Sequence, residues 1–161
     1  MMWIKAGLLP LFITYIIGLV LMVMPMPLFL EAWRPDWLSL VIIYWLMALP
    51  HRVGMGTVLI LGLMTDILMG SVFGIYASAL LVMAYAPIRH FQRFRNYSLT
   101  QQALVVAVLI FIKRVLVYQL EHWLNDAVFH VSYLYPVISS AIAWPWVYLI
   151  LRKYRRHYGI Q

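Results

Sequence analysis

Six apolar blocks, separated by short polar or proline-bearing gaps, divide the chain at approximately residues 6–24, 37–49, 54–70, 75–88, 99–120 and 133–151. Runs of this kind with almost no charge predict helices that bury themselves in protein or in lipid. The first, fifth and sixth blocks approach or exceed the roughly 20 helical residues needed to cross a bilayer. Blocks two to four hold only about 13 to 17 residues each, which predicts bent or partly shielded helices surrounded by longer ones. A count in which two of these short blocks form a re-entrant pair is the alternative.

Punctuation between the blocks supports helices. Arg34-Pro35-Asp36 introduces the second block, where proline suits a first turn and an acidic side chain complements the positive helix end. Pro50 closes that block, and Gly70-Ser71-Val72-Phe73-Gly74 reads as a tight turn after the third. Gly54, Val58, Gly62, Asp66, Gly70 and Gly74 recur every fourth position and predict a stripe of small residues where a neighbouring helix approaches closely. Gly62→Leu is therefore expected to exclude that neighbour. Asp66 either seeks a partner inside the bundle or touches interfacial water at the end of its block. Pro145, between Trp144 and Trp146, lacks a backbone donor and is expected to bend the last helix.

Composition turns these helices toward lipid. Of 161 residues, 65% are hydrophobic and 11% charged, far from the balance of a soluble domain. The chain is expected to be one integral membrane domain, residues 1–161. Pro25-Met26-Pro27 follows the first block in place of a small-x-small site, so that block is expected to stay uncleaved. A net charge of +7 would suit nucleic acid only on a basic soluble face; here the basic residues lie in the gaps. Lys5, Arg52, the Arg89–Arg95 loop and the Arg152–Arg156 tail fall on one set of gaps and only Arg34 on the other, nine residues against one. This bias predicts six spans with both termini cytoplasmic. Trp33, Trp37, Trp123, Tyr133 and Tyr135 would then form an outer aromatic belt, and Trp3, Tyr97, Tyr154 and Tyr158 an inner one.

Lys113 and Arg114 break the pattern, because each would cost about 2.5 to 3.5 kcal/mol near the bilayer centre. Two readings stand: Asp66 pairs with Lys113 or Arg114, or the two long side chains snorkel to the outer headgroups. Glu121 lies about 10 Å along the helix from Arg114, too far for an unaided pair.

Catalytic chemistry is poorly represented. Glu121-His122 followed by His130 lacks the spacing of a helical zinc site, no glycine-rich phosphate loop precedes a helix, and Ser71, Ser78 and Ser98 have no orienting base nearby in sequence. There is no cysteine. His51 reads as an interfacial loop residue. The chain is expected to be no enzyme, with no metal and no cofactor.

Several ordered motifs are similar to one family. Arg34-Pro35-Asp36-Trp37, Tyr44-Trp45, Ala48-Leu49-Pro50-His51-Arg52-Val53, Asp66-Ile67 with Gly70-Ser71 and Gly74, Gln101 to Val106, Trp144-Pro145-Trp146 and Leu151-Arg152-Lys153 closely resemble the rod shape-determining protein MreD family of Gram-negative bacteria. Lys113-Arg114 is not part of that set. The resemblance implies a six-transmembrane-helix bundle similar to the substrate-binding subunits of ECF-type vitamin transporters. It implies a non-enzymatic inner-membrane subunit of the elongation machinery that binds MreC and works with MreB and with RodA and its transpeptidase partner. Among the motif residues, Arg34, Pro35, Asp36, Pro50, Arg52, Asp66, Gly70, Gly74 and Pro145 become structural or interface candidates, beside Gly62 and Arg114.

Two other functions stay open on the residues. A small-molecule-binding subunit of an uptake transporter would need a polar cavity opening outward, around Asp66, Glu121 and Asn125. An enzyme acting on lipid-linked wall precursors would need Asp66 or Glu121 as base.

Overall fold

The computed structural model describes residues 2–160, those before Leu8 by backbone alone. The elements are α1 (Met2–Val23), α2 (Leu28–Glu31), α3 (Trp37–Ala48), α4 (Met55–Met69), α5 (Ile75–Asn96), α6 (Leu99–Asn125), a 3-10 turn (Val131–Leu134) and α7 (Tyr135–His157). Each of the six apolar blocks falls on a helix, and α2 adds one turn inside the first gap. By length and composition, two stretches are sufficient to cross a membrane, Leu99–Asn125 and Val131–His157. Leu8–Val23, Trp37–Ala48 and Met55–Met69 are shorter apolar helices. The side chains of Lys5 and Trp3, the latter assigned to the inner belt, lie outside the described residues.

α3 is the axis of the molecule. Its residues Leu38 to Met47 are all buried, so it has no polar stripe and must be surrounded on every side. α1, α5, α6 and α7 pack against it. Trp45, wholly buried, donates from Nε1 to Thr14 Oγ1 at 2.8 Å, and Thr14 in turn donates to the Leu11 carbonyl at 2.7 Å. Both polar atoms of this α1–α3 contact are thereby satisfied away from water. Gln102, near the start of α6, ties three helices together. Its Nε2 donates to the carbonyls of Phe94 and Tyr97 at 3.1 and 3.2 Å, and its Oε1 accepts from Trp144 Nε1 at 3.3 Å.

Pairs α4–α5 and α6–α7 are antiparallel neighbours joined by compact connections. A Cβ on Gly62 would lie 2.5 Å from Ala77 Cα, so at this crossing the α4 and α5 backbones touch. The expected six-residue stripe is shorter than the spacing implied. Val58, Gly62 and Asp66 are buried within α4, whereas Gly54 caps its start and Gly70 and Gly74 form the following turn, all three with open space where a Cβ would be. Gly70 and Gly74 have φ of 63° and 104°, and that left-handed backbone is what these glycines supply.

Three boundaries also differ from the apolar pattern. α5 continues to Asn96, so Arg89, Arg93 and Arg95 are helical and not a loop; His90, at φ −120° and ψ 24°, marks a kink three residues after Pro87. α6 begins with a capping box between Ser98 and Gln101 and runs on to Asn125. α7 carries Arg152, Lys153, Arg155 and Arg156 within it and continues as one helix through Pro145. Helices end where backbone hydrogen bonding ends, and amphipathic charged turns extend a helix beyond its apolar segment.

Candidate functional site

A buried charged cluster joins the start of α3 to the middle of α6. Pro35 fixes the approach to the helix, and Asp36 is the N-cap itself, its Oδ1 accepting from Ser39 N at 3.3 Å. The other carboxylate oxygen, Oδ2, accepts from Lys113 Nζ at 2.6 Å. Lys113 also donates to Ser39 Oγ at 2.9 Å, and the Asp36 amide donates to Ser140 Oγ of α7 at 2.8 Å. Lys113 and Asp36 are 2% and 5% exposed; burial this complete is tolerated only because each charge has a countercharge and further hydrogen bonds.

Arg34 stands beside the cluster and closes α1. Its two terminal nitrogens donate to the carbonyls of Met22 and Met24, both at 2.6 Å, satisfying acceptors that the end of a helix leaves open and placing a cation at its negative pole. Arg114 follows Lys113 on α6 and donates to the Tyr133 carbonyl at 3.5 Å. Among the described residues it forms no ion pair.

Between these groups lies a cavity of about 550 Å³. Arg34, Pro35, Asp36, Lys113, Arg114 and Tyr76 contribute to its walls, with Glu31 and apolar side chains including Met22, Met69 and Val117. Helix lengths explain it. At 1.5 Å per residue α3 and α4 are about 18 and 22 Å long, against about 40 Å for α6, so the longer helix rises past the ends of the short ones and leaves space above them.

Asp66 takes a different part from the one expected. It pairs with neither Lys113 nor Arg114, which corrects the proposed ion pair. Its Oδ1 accepts from Tyr76 N at 2.8 Å and Ser71 Oγ at 3.0 Å, and its Oδ2 accepts from Gly74 N at 2.9 Å. The carboxylate thus caps α5 from the preceding helix, where two free N–H groups and the positive helix end stabilise it. Snorkelling does not describe Lys113 either, since its ammonium is enclosed. The cavity also lies elsewhere than expected: Asp66, Glu121 and Asn125 do not line it.

Other sequence candidates do not join the cluster. Pro50 and Arg52 lie in the α3–α4 turn, with Arg52 exposed and its amide donating to the Leu49 carbonyl at 3.1 Å. Gly62, Gly70 and Gly74 belong to the α4–α5 hairpin, and Pro145 to α7. Sequence reasoning missed Ser39 and Tyr76, and read Ser140 only as a small residue that admits a close neighbour, without the hydrogen bond it accepts from the Asp36 amide. Asp36 was legible as a helix start, but its second role requires contact with a residue 77 positions away. Among the described residues, no three of His, Asp and Glu converge to hold a metal ion. What the arrangement does chemically is pack and orient helices through buried charge.

An all-helical chain with membrane-length apolar helices, whose buried polar groups serve its own packing, defines a helical membrane protein. Comparison with known proteins sharpens that class. The profile of the rod shape-determining protein MreD family matches residues 4–154, and the chain belongs to that family. It is 37% identical over 142 residues to the rod shape-determining protein MreD of Haemophilus influenzae, covering 88% of each chain. No solved structure matches it.

Proposed function

We infer that this chain is a multi-pass, non-enzymatic subunit of the machinery that maintains rod shape, working in the bacterial inner membrane by binding other membrane proteins. Family membership along nearly the whole chain carries this reading. The polar interactions support it, because Asp36, Lys113, Asp66, Gln102 and Thr14 are engaged with other parts of the fold. In this reading α1, α3, α4, α5, α6 and α7 are six spans of a single integral domain, in the manner of the vitamin-transporter substrate-binding subunits, with both termini cytoplasmic. The asymmetry of Lys and Arg among the gaps supports that orientation. Long apolar faces of α1 and α4, including Phe12, Ile16, Ile60 and Ile67, are exposed and suit lipid or the helices of partners.

The direct partner proposed is MreC, with MreB, RodA and the transpeptidase of RodA in the same assembly. Copurification after mild solubilisation tests this. A tagged chain should retain MreC in fixed proportion and restore rod shape to cells lacking their own copy; rounded cells with normal membrane levels of the chain and no retained MreC would refute the assignment.

A further inference from the structure

The cavity above α3 has unequal polar walls. Three cationic side chains, Arg34, Lys113 and Arg114, face it against two carboxylates, Glu31 and Asp36. Lys113 and Asp36 neutralise one another, and Glu31 is an exposed residue of α2. Arg34 already uses both terminal nitrogens on α1, leaving its buried Nε without a partner among the described residues. Arg114 has five N–H groups, of which one reaches a carbonyl, and that bond is long at 3.5 Å. Its guanidinium is therefore a cation with spare donors and no close ion pair among the described residues, held about halfway along a 27-residue apolar helix, where a charge without a direct partner is expensive. Around it are apolar surfaces from Met22, Met69 and Val117.

We propose that this cavity binds an anionic group, phosphate or carboxylate, carried on an apolar stem, with Arg114 as its principal anchor and the methionine-lined wall receiving the stem. A guanidinium recognises either anion through paired donors, and a volume of about 550 Å³ accommodates a headgroup and the first part of a chain. An anionic phospholipid of the surrounding bilayer is one source of this chemistry and a soluble phosphate is the other. The site is distinct from partner binding, and its occupancy is measured on the isolated chain, so its failure leaves the shape-complex assignment untouched.

The test is thermal unfolding of the full chain in neutral detergent, followed by tryptophan fluorescence, with phosphatidylglycerol, phosphatidylcholine or inorganic phosphate added. Phosphatidylglycerol should raise the midpoint by about 5 °C at saturating levels, and phosphatidylcholine should not. Arg114→Gln should abolish the gain, while Arg93→Gln, at the far end of α5, should retain it. Ser132→Trp narrows the exposed rim and leaves every cation in place; it should reduce the gain and serves where Arg114→Gln does not fold. Inorganic phosphate acting alone, with the same dependence on these variants, supports the site with a soluble anion as its source. Equal gains from both lipids, an undiminished gain in Arg114→Gln or Ser132→Trp, or no gain from any probe would overturn the proposal.

Discussion

At the scale of single residues, the fold depends on two carboxylates with unlike tasks. Asp36 is both helix cap and counterion, so removing Lys113 leaves a negative charge enclosed with only hydrogen bonds to hold it. Lys113→Met is expected to destabilise the chain by about 3 to 5 kcal/mol, read as lost membrane abundance and a lower unfolding midpoint in detergent. Combining it with Asp36→Asn, which removes the stranded charge and keeps an oxygen for the Ser39 amide, should recover much of that loss; no recovery would mean the ion pair is not what the single variant disturbs. Asp66 predicts a milder and more local effect. Asp66→Ala strands the amides of Gly74 and Tyr76, at a cost of about 1 to 3 kcal/mol, and should speed proteolytic cutting in the 70–74 turn. Asp36 could be recognised as a cap from the sequence because Pro-Asp immediately precedes an apolar run. Its pairing could not: five acidic residues compete for one buried lysine, and only the packing of α3 against α6 decides between them.

At the scale of helices, apolar blocks located every long element, while the ends followed hydrogen-bonding groups that hydropathy does not weigh. The Arg89–Arg95 segment looks like a loop by charge, yet α5 carries it as helix to Asn96. Four-residue spacing found the α4 contact but overstated its extent, since a repeat cannot show where a helix stops and a left-handed turn begins. Substitutions along the stripe should therefore split into classes. Gly62→Leu should fall sharply in abundance, because Ala77 is backbone-close at that point. Gly54→Ala meets open space at φ −123°, so its effect should stay within about 0.5 kcal/mol. Gly70→Ala also meets open space but must adopt φ 63°, costing roughly 1 to 2 kcal/mol. Thermal midpoints ordered in any other way would show that contact and backbone strain do not set these positions.

At the scale of the whole molecule, unequal helix lengths connect packing to orientation. A hydrocarbon core about 30 Å thick is longer than α3 or α4, so the backbone of the 32–36 and 70–74 segments would lie at membrane depth unless something covers it. α6 and α7 stand beside the 32–36 segment through Lys113 and Ser140. Asp66 takes up the Ser71 hydroxyl and the Gly74 amide in the 70–74 turn, and the cavity offers remaining polar groups a wet boundary, as irregular backbone in lipid requires. The proposed orientation places that cavity on the outer side, because the opposite end carries Arg52, Arg93, Arg95, Arg152 and Lys153. Reporter fusions decide the matter. A fluorescent protein that folds only in the cytoplasm should glow at both chain ends and when inserted between Asn96 and Ser98, whereas alkaline phosphatase, active only outside, should work when inserted within 126–130. Opposite locations for the two termini would require an odd number of crossings. A re-entrant α3–α4 pair would leave four and keep the termini together, so a single helix would have to leave the membrane and the cavity would no longer be assigned to either side.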